Sequence, residues 1–183
     1  MKHLSNLLFE AKILKFIPRA GFPFLGAGRE TVAEHSFSVT FIGYVMSRMV
    51  PGIDALRLIS MCLVHDLPEA RTGDLNYVNK KYVIADEQSA IEDAMRQIPF
   101  GNDIVDMVME FKKQETIEAR LAHDADQLAF ILDLKSISDT GHTSPEQWIP
   151  VVRKRMKTDI GRQLADAVLD TRWDAWWMDG YTE

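Results

Sequence analysis

Apolar residues recur at intervals of three and four along most of the chain, the spacing that places side chains on one face of an α-helix. No segment alternates apolar and polar residues in the manner of a half-buried β-strand. The pattern therefore predicts an all-α bundle of about six or seven helices. Helices are predicted over residues 4–17, 31–49, 54–66, 85–98, 104–112 and 115–138, followed by C-terminal helices over 145–178.

The starts of two predicted helices carry capping signals. Thr31 and Glu34 have the spacing of a capping box, in which each side chain accepts a hydrogen bond from the other residue's backbone N–H. Ser144 followed by Pro145 has the form of an N-cap with proline at the first helical position. Apolar residues after the first of these caps share helical spacing and are expected to face the core: Phe37, Phe41, Tyr44 and Val45.

Length and composition are those of a soluble globular protein. The chain is 46% hydrophobic and 26% charged, and its length suits a single domain over residues 1–183. A net charge of −6 argues against nucleic-acid and anionic-membrane partners, which need a cationic face, but allows a small phosphorylated ligand. The one cysteine, Cys62, is expected to be a buried small hydrophobe. The N-terminal segment lacks a signal-peptide pattern, so we expect a cytoplasmic protein.

The segment between residues 65 and 74 concentrates groups that can bind a metal ion or move protons. It holds His65 and Asp66 as a pair, followed by Glu69 and Asp74. Imidazole and carboxylate are the groups that a divalent cation, or a general acid and base, need near pH 7. A buried aspartate can also cap a helix and a buried histidine can satisfy a carbonyl group, so these residues alone leave a structural role open.

Two residues elsewhere in the chain strengthen the interpretation as a metal site. His35 falls in the first turn of its predicted helix, and Asp126 lies beside the stripe that the 115–138 helix is expected to bury. That stripe comprises Leu121, Ala125, Leu128 and Leu132. With His65 and Asp66, the two residues form a nitrogen and oxygen donor set without thiolates. We expect it to hold one divalent transition metal ion, and the spacing does not select among Mn²⁺, Fe²⁺, Co²⁺, Ni²⁺ and Zn²⁺.

The order H, HD, D along the chain resembles the HD-domain metal-dependent phosphohydrolases. The sequence HDLPEARTGD at 65–74 resembles the HDxxExxxGD signature of the subgroup similar to bacterial 5'-deoxynucleotidases. EHS at 34–36 and DADQL at 124–128 are similar to the segments that carry this subgroup's first metal-binding histidine and last metal-binding aspartate. PRAGF at 18–22 falls where the family carries a substrate-contacting arginine. The resemblance covers about residues 3–140.

The resemblance implies an HD-domain-like fold that hydrolyses the 5'-phosphate of (deoxy)nucleoside monophosphates with a metal-activated water. It also implies a homodimer, for which the C-terminal helices over 145–178 and the methionine-rich helix over 104–111 are candidate surfaces. The implied metal ligands are His35, His65, Asp66 and Asp126, and the implied catalytic residues are Glu69 and Asp74. The resemblance also implies substrate contacts by Arg19 and Phe22, and Lys80 is expected from its charge to be a further substrate-binding residue.

The sequence leaves several alternatives open. The same metal site could act on another phosphorylated nucleotide, such as a triphosphate, an alarmone or a cyclic nucleotide, or the protein could be a non-catalytic metal- or nucleotide-binding regulator. Lys80, with Lys81 as an alternative, would offset the phosphate charge, although both lysines also suit a solvated helix start. His123 and Asp124 form a second HD dipeptide. We exclude it as the metal site because Asp126 fits the family's ADxL pattern.

Overall fold

The computed structural model describes residues 1–181, and its regular structure is helical. The all-α prediction is confirmed: within the described range there is no β-strand, only an isolated bridge between Pro18 and Thr31. Within residues 1–181, eight helices have nine or more residues, slightly more than the six or seven predicted. The helices are α1 (Lys2–Ile13), α2 (Val32–Met49), α3 (Ala55–Val64), α4 (Glu69–Thr72), α5 (Glu87–Met95), α6 (Gly101–Lys113), α7 (Ile117–Asp139), α8 (Pro145–Arg153), α9 (Asp159–Asp170) and α10 (Ala175–Met178).

None of the helices in this part of the chain combines the length and the hydropathy that a membrane span requires. The cytoplasmic location expected from the sequence stays a prediction.

Helix α7 is the central element of the bundle. It packs against α2, α3, α6, α8 and α9, so its buried residues spread around most of its circumference. Small side chains on α7 let these neighbours approach closely: Ala119, Ala122, Ala125 and Ala129 are all buried. The predicted buried stripe is therefore only partly right. Leu121, Ala125 and Leu128 are buried, but Leu132 is 40% exposed.

Helix α2 turns a different face to the core from the one predicted. Phe37, Phe41 and Tyr44 are 73%, 59% and 51% exposed, and Val45 is only half-buried, so the expectation that they face the core is wrong. The helical spacing of the aromatic residues places them on one face of α2, but it does not determine whether that face is buried or exposed. The side that α2 actually buries carries Val32, His35, Ser36, Val39, Ile42, Gly43 and Met46.

The close contact between α2 and α3 explains this choice of face. A Cβ atom on Gly43 would lie 2.6 Å from the Sγ atom of Cys62, so the two helices meet at a point where only glycine fits without displacement. Cys62 is fully buried at this contact, and burial raises the pKa of its thiol to about 12. The sequence-based expectation of a small buried hydrophobe at this position is confirmed.

The capping box predicted at the start of α2 is present. The side chain of Thr31 accepts a hydrogen bond from the backbone N–H of Glu34 at 3.2 Å, and the Glu34 carboxylate accepts one from the backbone N–H of Thr31 at 2.7 Å. Helix α8 also begins where predicted, but the Ser144 hydroxyl does not cap it and instead donates to the carbonyl oxygen of Leu25. This hydrogen bond ties the start of α8 to the loop that precedes α2.

Asp124 joins α7 to the start of α9. Its fully buried carboxylate accepts hydrogen bonds from the backbone N–H groups of Lys157 at 2.7 Å and Thr158 at 2.8 Å, and from the Thr158 hydroxyl at 2.7 Å. Burial opposes the charge, but hydrogen bonds from His123 and from these donors hold the pKa of Asp124 below its ordinary value. A Cβ atom on Gly161 would overlap this carboxylate. Asp124 therefore has a structural role, in agreement with its exclusion as a metal ligand.

Replacing Asp124 with alanine should lower the free energy of unfolding by about 2–4 kcal/mol, because the substitution leaves several buried donors without an acceptor. Urea titration followed by circular dichroism measures this change. The control is Asp159→Ala, which removes only an exposed ion pair with Arg162 and should cost less than about 1 kcal/mol. An Asp124 variant as stable as the parent would show that packing alone holds α9.

Candidate metal centre and substrate cavity

The side chains predicted to bind a metal ion converge where α2, α3 and α7 meet. One potential ligand atom from each of His35, His65 and Asp126 lies within 4.8 Å of the other two. The His35 Nε2 atom is 2.9 Å from the Asp126 Oδ1 atom. Asp66 borders this group, with its Oδ2 atom 3.3 Å from His65 Nε2 and 3.9 Å from His35 Nε2. The fold thus brings together all four residues that the sequence separates by up to 91 positions.

The hydrogen bonding of His65 fits a metal ligand. Its Nδ1 atom is 2.8 Å from the carbonyl oxygen of Cys62, so a proton on Nδ1 leaves the Nε2 lone pair directed into the cluster. The buried Nε2 atom makes no hydrogen bond to any residue in the described part of the chain. A buried nitrogen without a partner, facing carboxylate oxygens, is suited to a divalent cation. The donor set of imidazoles and carboxylates therefore fits a single first-row transition metal ion.

The electrostatics of the cluster favour positive charge. Burial alone would lower the pKa of His65, but the carboxylates of Asp66 and Asp126 outweigh it and raise the pKa to about 9. Burial likewise disfavours the charged form of Asp126, but the hydrogen bond from His35 and the nearby positive charges hold its pKa below the ordinary value. Protons and Arg19 balance the carboxylates of the metal-free cluster, and metal binding would displace such protons.

Glu30 lies next to the cluster, and no pattern in the sequence had identified it. Its Oε2 atom is 3.6 Å from the Nδ1 atom of His35 and 3.9 Å from the Nε atom of Arg19. Burial and the neighbouring carboxyl of Asp133 raise the pKa of Glu30 to about 8. At 3.6 Å the contact with His35 is too long for a hydrogen bond, and the buried Nδ1 atom of His35 has no hydrogen-bond partner in the described structure. Only the position of Glu30 just before the α2 capping box could have drawn attention to it.

Arg19 and Asp74 are joined through the loop that follows α1. The Nη1 atom of Arg19 is 3.4 Å from the Asp66 Oδ2 atom, which places the guanidinium beside the candidate metal centre. The backbone N–H of Ala20 donates to the Asp74 Oδ2 atom at 2.7 Å. Gly73, with a φ of +73°, makes the turn that directs Asp74 towards this loop. Asp74 therefore positions the segment that presents Arg19.

Glu69 has a different environment from Asp74. It is the first residue of α4, is only 8% exposed, and its Oε2 atom finds no hydrogen-bond partner within residues 1–181. Burial, together with the charges of Asp66 and Asp74, raises the pKa of Glu69 to about 9. A buried carboxyl group with a raised pKa and a free oxygen is suited to exchanging a proton with a reacting molecule.

A cavity of about 460 Å³ opens next to the cluster. All three predicted substrate-binding residues, Arg19, Phe22 and Lys80, line this cavity. The Nζ atom of Lys81 lies 4.5 Å from the centre of the Tyr77 ring, and it is Tyr77, not Lys81, that lines the cavity. The catalytic and metal-binding residues predicted from the sequence that also line the cavity are His65, Asp66, Glu69, Asp74 and Asp126.

A protein-family model described as HD domain matches residues 11–168. The chain belongs to the HD domain family. The match confirms the family predicted from the motifs, and it extends past residue 140 to include α8 and most of α9. Helix α8 and most of α9 are therefore part of the HD-domain match, whereas α10 lies beyond it.

Curated relatives and a solved structure agree with the assignment to the HD domain family. The chain is 30% identical over 146 residues to 5'-deoxynucleotidase HDDC2 of Dictyostelium discoideum, covering 70% of this chain and 76% of the relative. It is 24% identical over 135 residues to the human 5'-deoxynucleotidase HDDC2, covering 70% and 65% of the two chains. A conserved hypothetical protein from Pyrococcus furiosus has a similar structure, with a TM-score of 0.77, 27% identity, and coverage of 90% of this chain and 96% of that one.

The cavity of this HD-domain chain has a second wall that the sequence analysis missed. Gln127 and Phe130 reach it from α7, Trp148 from α8, and Arg155 from the loop after α8. The spacing of four residues between Asp126 and Phe130 was a readable signal, because residues four apart share a helix face. Nothing in the sequence indicated Trp148 or Arg155, which were assigned with the C-terminal helices to packing or to a dimer surface.

Replacing His65 with glutamine should weaken Mn²⁺ binding by more than about 100-fold, because even outer partners of metal ligands contribute factors of 10–100. Calorimetric titration of the metal-stripped protein measures the affinity. The matched control is His123→Gln, which changes the histidine of the second HD dipeptide and should leave the affinity within about 3-fold. Equal losses in both variants would contradict the placement of the metal centre.

Proposed function

We propose that this HD-domain protein is a metal-dependent phosphomonoester hydrolase that releases phosphate from deoxynucleoside 5'-monophosphates. The observation that carries the proposal is the convergence of His65, Asp66 and Asp126 with the guanidinium of Arg19 at one end of a cavity. The names of the curated relatives, both 5'-deoxynucleotidases, support the choice of substrate. The cavity of about 460 Å³ falls within the usual size of small-molecule sites.

In this proposal the metal ion is held by His35, His65, Asp66 and Asp126. When bound, a divalent ion at this position supplies Lewis-acid chemistry, lowering the pKa of a water molecule and polarising a phosphoryl oxygen. Arg19 pairs with the remaining phosphate oxygens, because its planar guanidinium offers parallel N–H donors to an oxyanion. Glu30 and Asp66 hold that guanidinium in place.

The proposed hydrolysis divides the proton transfers between two carboxyl groups. Glu69 takes the proton of the attacking water on its buried Oε2 atom, which has no hydrogen-bond partner in the described structure, once a bound cation offsets the charges of Asp66 and Asp74 that raise the pKa of Glu69. The new bond forms between the water oxygen and phosphorus, and the bond from phosphorus to the 5'-oxygen breaks. Asp74 accepts a hydrogen bond from the backbone N–H of Ala20 and lines the same cavity, and in this proposal its carboxyl group gives a proton to the leaving 5'-oxygen, which balances the proton taken by Glu69.

The substrate panel tests the proposed function directly. Metal-stripped protein would be given Mn²⁺, Co²⁺, Ni²⁺, Fe²⁺ or Zn²⁺ singly and assayed for phosphate release from deoxy- and ribonucleoside mono- and triphosphates. We expect metal-dependent turnover of deoxynucleoside monophosphates above the other substrates. Turnover confined to triphosphates or cyclic nucleotides would instead assign the site to another phosphorylated nucleotide. Metal binding without any turnover would indicate a regulator.

Replacing Glu69 with glutamine should lower kcat by about 100-fold or more, the usual contribution of a positioned acid or base, while Mn²⁺ affinity stays unchanged. Phosphate release and calorimetric titration measure the two quantities. Glu87→Gln is the control, since Glu87 lines the same cavity but is paired with Lys112 at 2.8 Å. Unchanged turnover in the Glu69 variant would make this residue structural.

We also propose that the protein forms a homodimer through the outward face of α2. Phe37, Phe41 and Tyr44 are exposed side by side on this helix, and α2 carries charged residues only near its ends, at Glu34 and Arg48. An exposed apolar patch of this kind is typical of an interaction surface. The sequence had suggested two other dimer surfaces, the methionine-rich helix α6 and the C-terminal tail. Helix α6 is half-buried against α3, α5 and α7, whereas Trp176 in the tail is 84% exposed.

Light scattering at micromolar concentration should give twice the chain mass of 20.9 kDa, and the double substitution of Phe37 and Phe41 with serine should give a monomer. Trp176→Ser is the comparison variant and should remain dimeric. A monomeric parent protein would contradict the dimer, and a monomeric Trp176 variant would move its interface to the tail.

A further inference from the structure

The wall of the cavity contributed by α7 and α8 is aromatic and has no part in the hydrolysis proposed above. Phe130 and Trp148 form an edge-to-face pair, with ring centroids 6.3 Å apart and an interplanar angle of 84°. Both side chains are half-buried: they rest on the main core and also line the cavity. Phe24, which is 50% exposed, lines the same cavity from the loop before α2. These rings offer planar apolar surface to a bound molecule.

The spacing of residues on α7 determines how far Phe130 lies from the candidate metal centre. Phe130 follows Asp126 by four residues on α7, which is about one helical turn or roughly 6 Å along the axis. The sugar of a nucleoside monophosphate separates its base from its phosphate by a comparable span. A substrate whose phosphate lies at the metal centre and Arg19 can therefore place its base against Phe130 and Trp148.

A polar pair lies beside the aromatic residues and is fixed in orientation. The Nε2 atom of Gln127 donates to the Oδ2 atom of Asp126 at 2.7 Å, because the carboxylate can only accept. The Oε1 atom of Gln127 consequently accepts a hydrogen bond from the Nη1 atom of Arg155 at 3.3 Å. Asp124 holds the backbone of Lys157 and Thr158, which anchors the loop that carries Arg155. Arg155 is itself exposed and lines the cavity.

We propose that Phe130, Trp148 and Arg155 form a subsite for the nucleobase of the substrate. This inference rests on the proposed function. The Trp148 ring stacks on the base, the Phe130 ring lies nearly perpendicular to it and packs against the edge of the base, and Arg155 pairs with acceptors on the base. Arginine offers only donors, so the subsite favours a base with adjacent acceptors, as guanine has in O6 and N7, over adenine, which has a donor beside its acceptor.

The experiment compares substrates with and without a base. Trp148→Leu keeps apolar packing on the core but removes the stacking surface. It should lower kcat/KM for dGMP by about 10-fold or more, mainly through KM, because stacking on an aromatic side chain contributes factors of this size. Turnover of 2-deoxyribose 5-phosphate, which has no base, should stay within about 2-fold. Trp148→Phe should restore most of the loss, and Trp176→Leu in the tail should change neither substrate.

Arg155→Ala tests the recognition of the base edge. It should reduce the ratio of kcat/KM for dGMP over dAMP by about 5-fold or more, with little effect on 2-deoxyribose 5-phosphate. A loss shared equally by the substrate without a base would show that Arg155 acts on the phosphate and would overturn its assignment. Unchanged dGMP turnover in the Trp148→Leu variant would overturn the stacking role.

Binding of the free nucleoside separates failure of this subsite from failure of the proposed hydrolysis. Calorimetric titration of deoxyguanosine into the parent protein and the Trp148→Leu variant requires no turnover. Weaker binding by the variant supports the subsite even if the parent releases no phosphate from any substrate. Equal affinities, or no binding by either protein, would overturn the subsite whatever the phosphatase assay shows.

Discussion

One turn of α7 carries two carboxylates on opposite sides of the helix, and the rest of the structure depends on this arrangement. Asp124 and Asp126 are two residues apart, so their side chains point roughly 200° apart on an ideal helix. Asp124 accepts the donors at the start of α9, while Asp126 meets His35 in the candidate metal centre. The same short segment therefore fixes the C-terminal helices and completes the site, which couples the position of Arg155 to that of the metal ligands.

The candidate site concentrates buried carboxylates that would repel one another without a cation. Asp66, Glu69 and Asp126 share one end of the cavity, and the charges of Asp66 and Asp74 add to burial in raising the pKa of Glu69 to about 9. Buried charges are costly unless they are paired. Arg19 and the two histidines offset part of this charge in the metal-free protein. A divalent ion would offset more of it, which gives the ion a physical reason to bind there.

The sequence predicted well the features that depend on local chemistry. The all-α class followed from apolar spacing, the start of α2 from the Thr31 and Glu34 capping box, and the convergence of His35, His65, Asp66 and Asp126 from their motifs. The buried face of α2 could not be predicted in this way, because it depends on the contact of Gly43 with Cys62 on another helix. Trp148 and Arg155 reach the cavity only through long-range packing of α8 on α7 and the anchoring of the following loop, so no local pattern marks them.

The central claim is that one metal ion, held by His35, His65, Asp66 and Asp126, is required for phosphate release. Titrating Mn²⁺ into metal-stripped protein while following phosphate release from dGMP tests this claim most directly. Activity should rise from zero in proportion to added metal and reach its plateau at one ion per chain. Release of phosphate by the stripped protein, or no release at any ratio of metal to protein, would contradict the account.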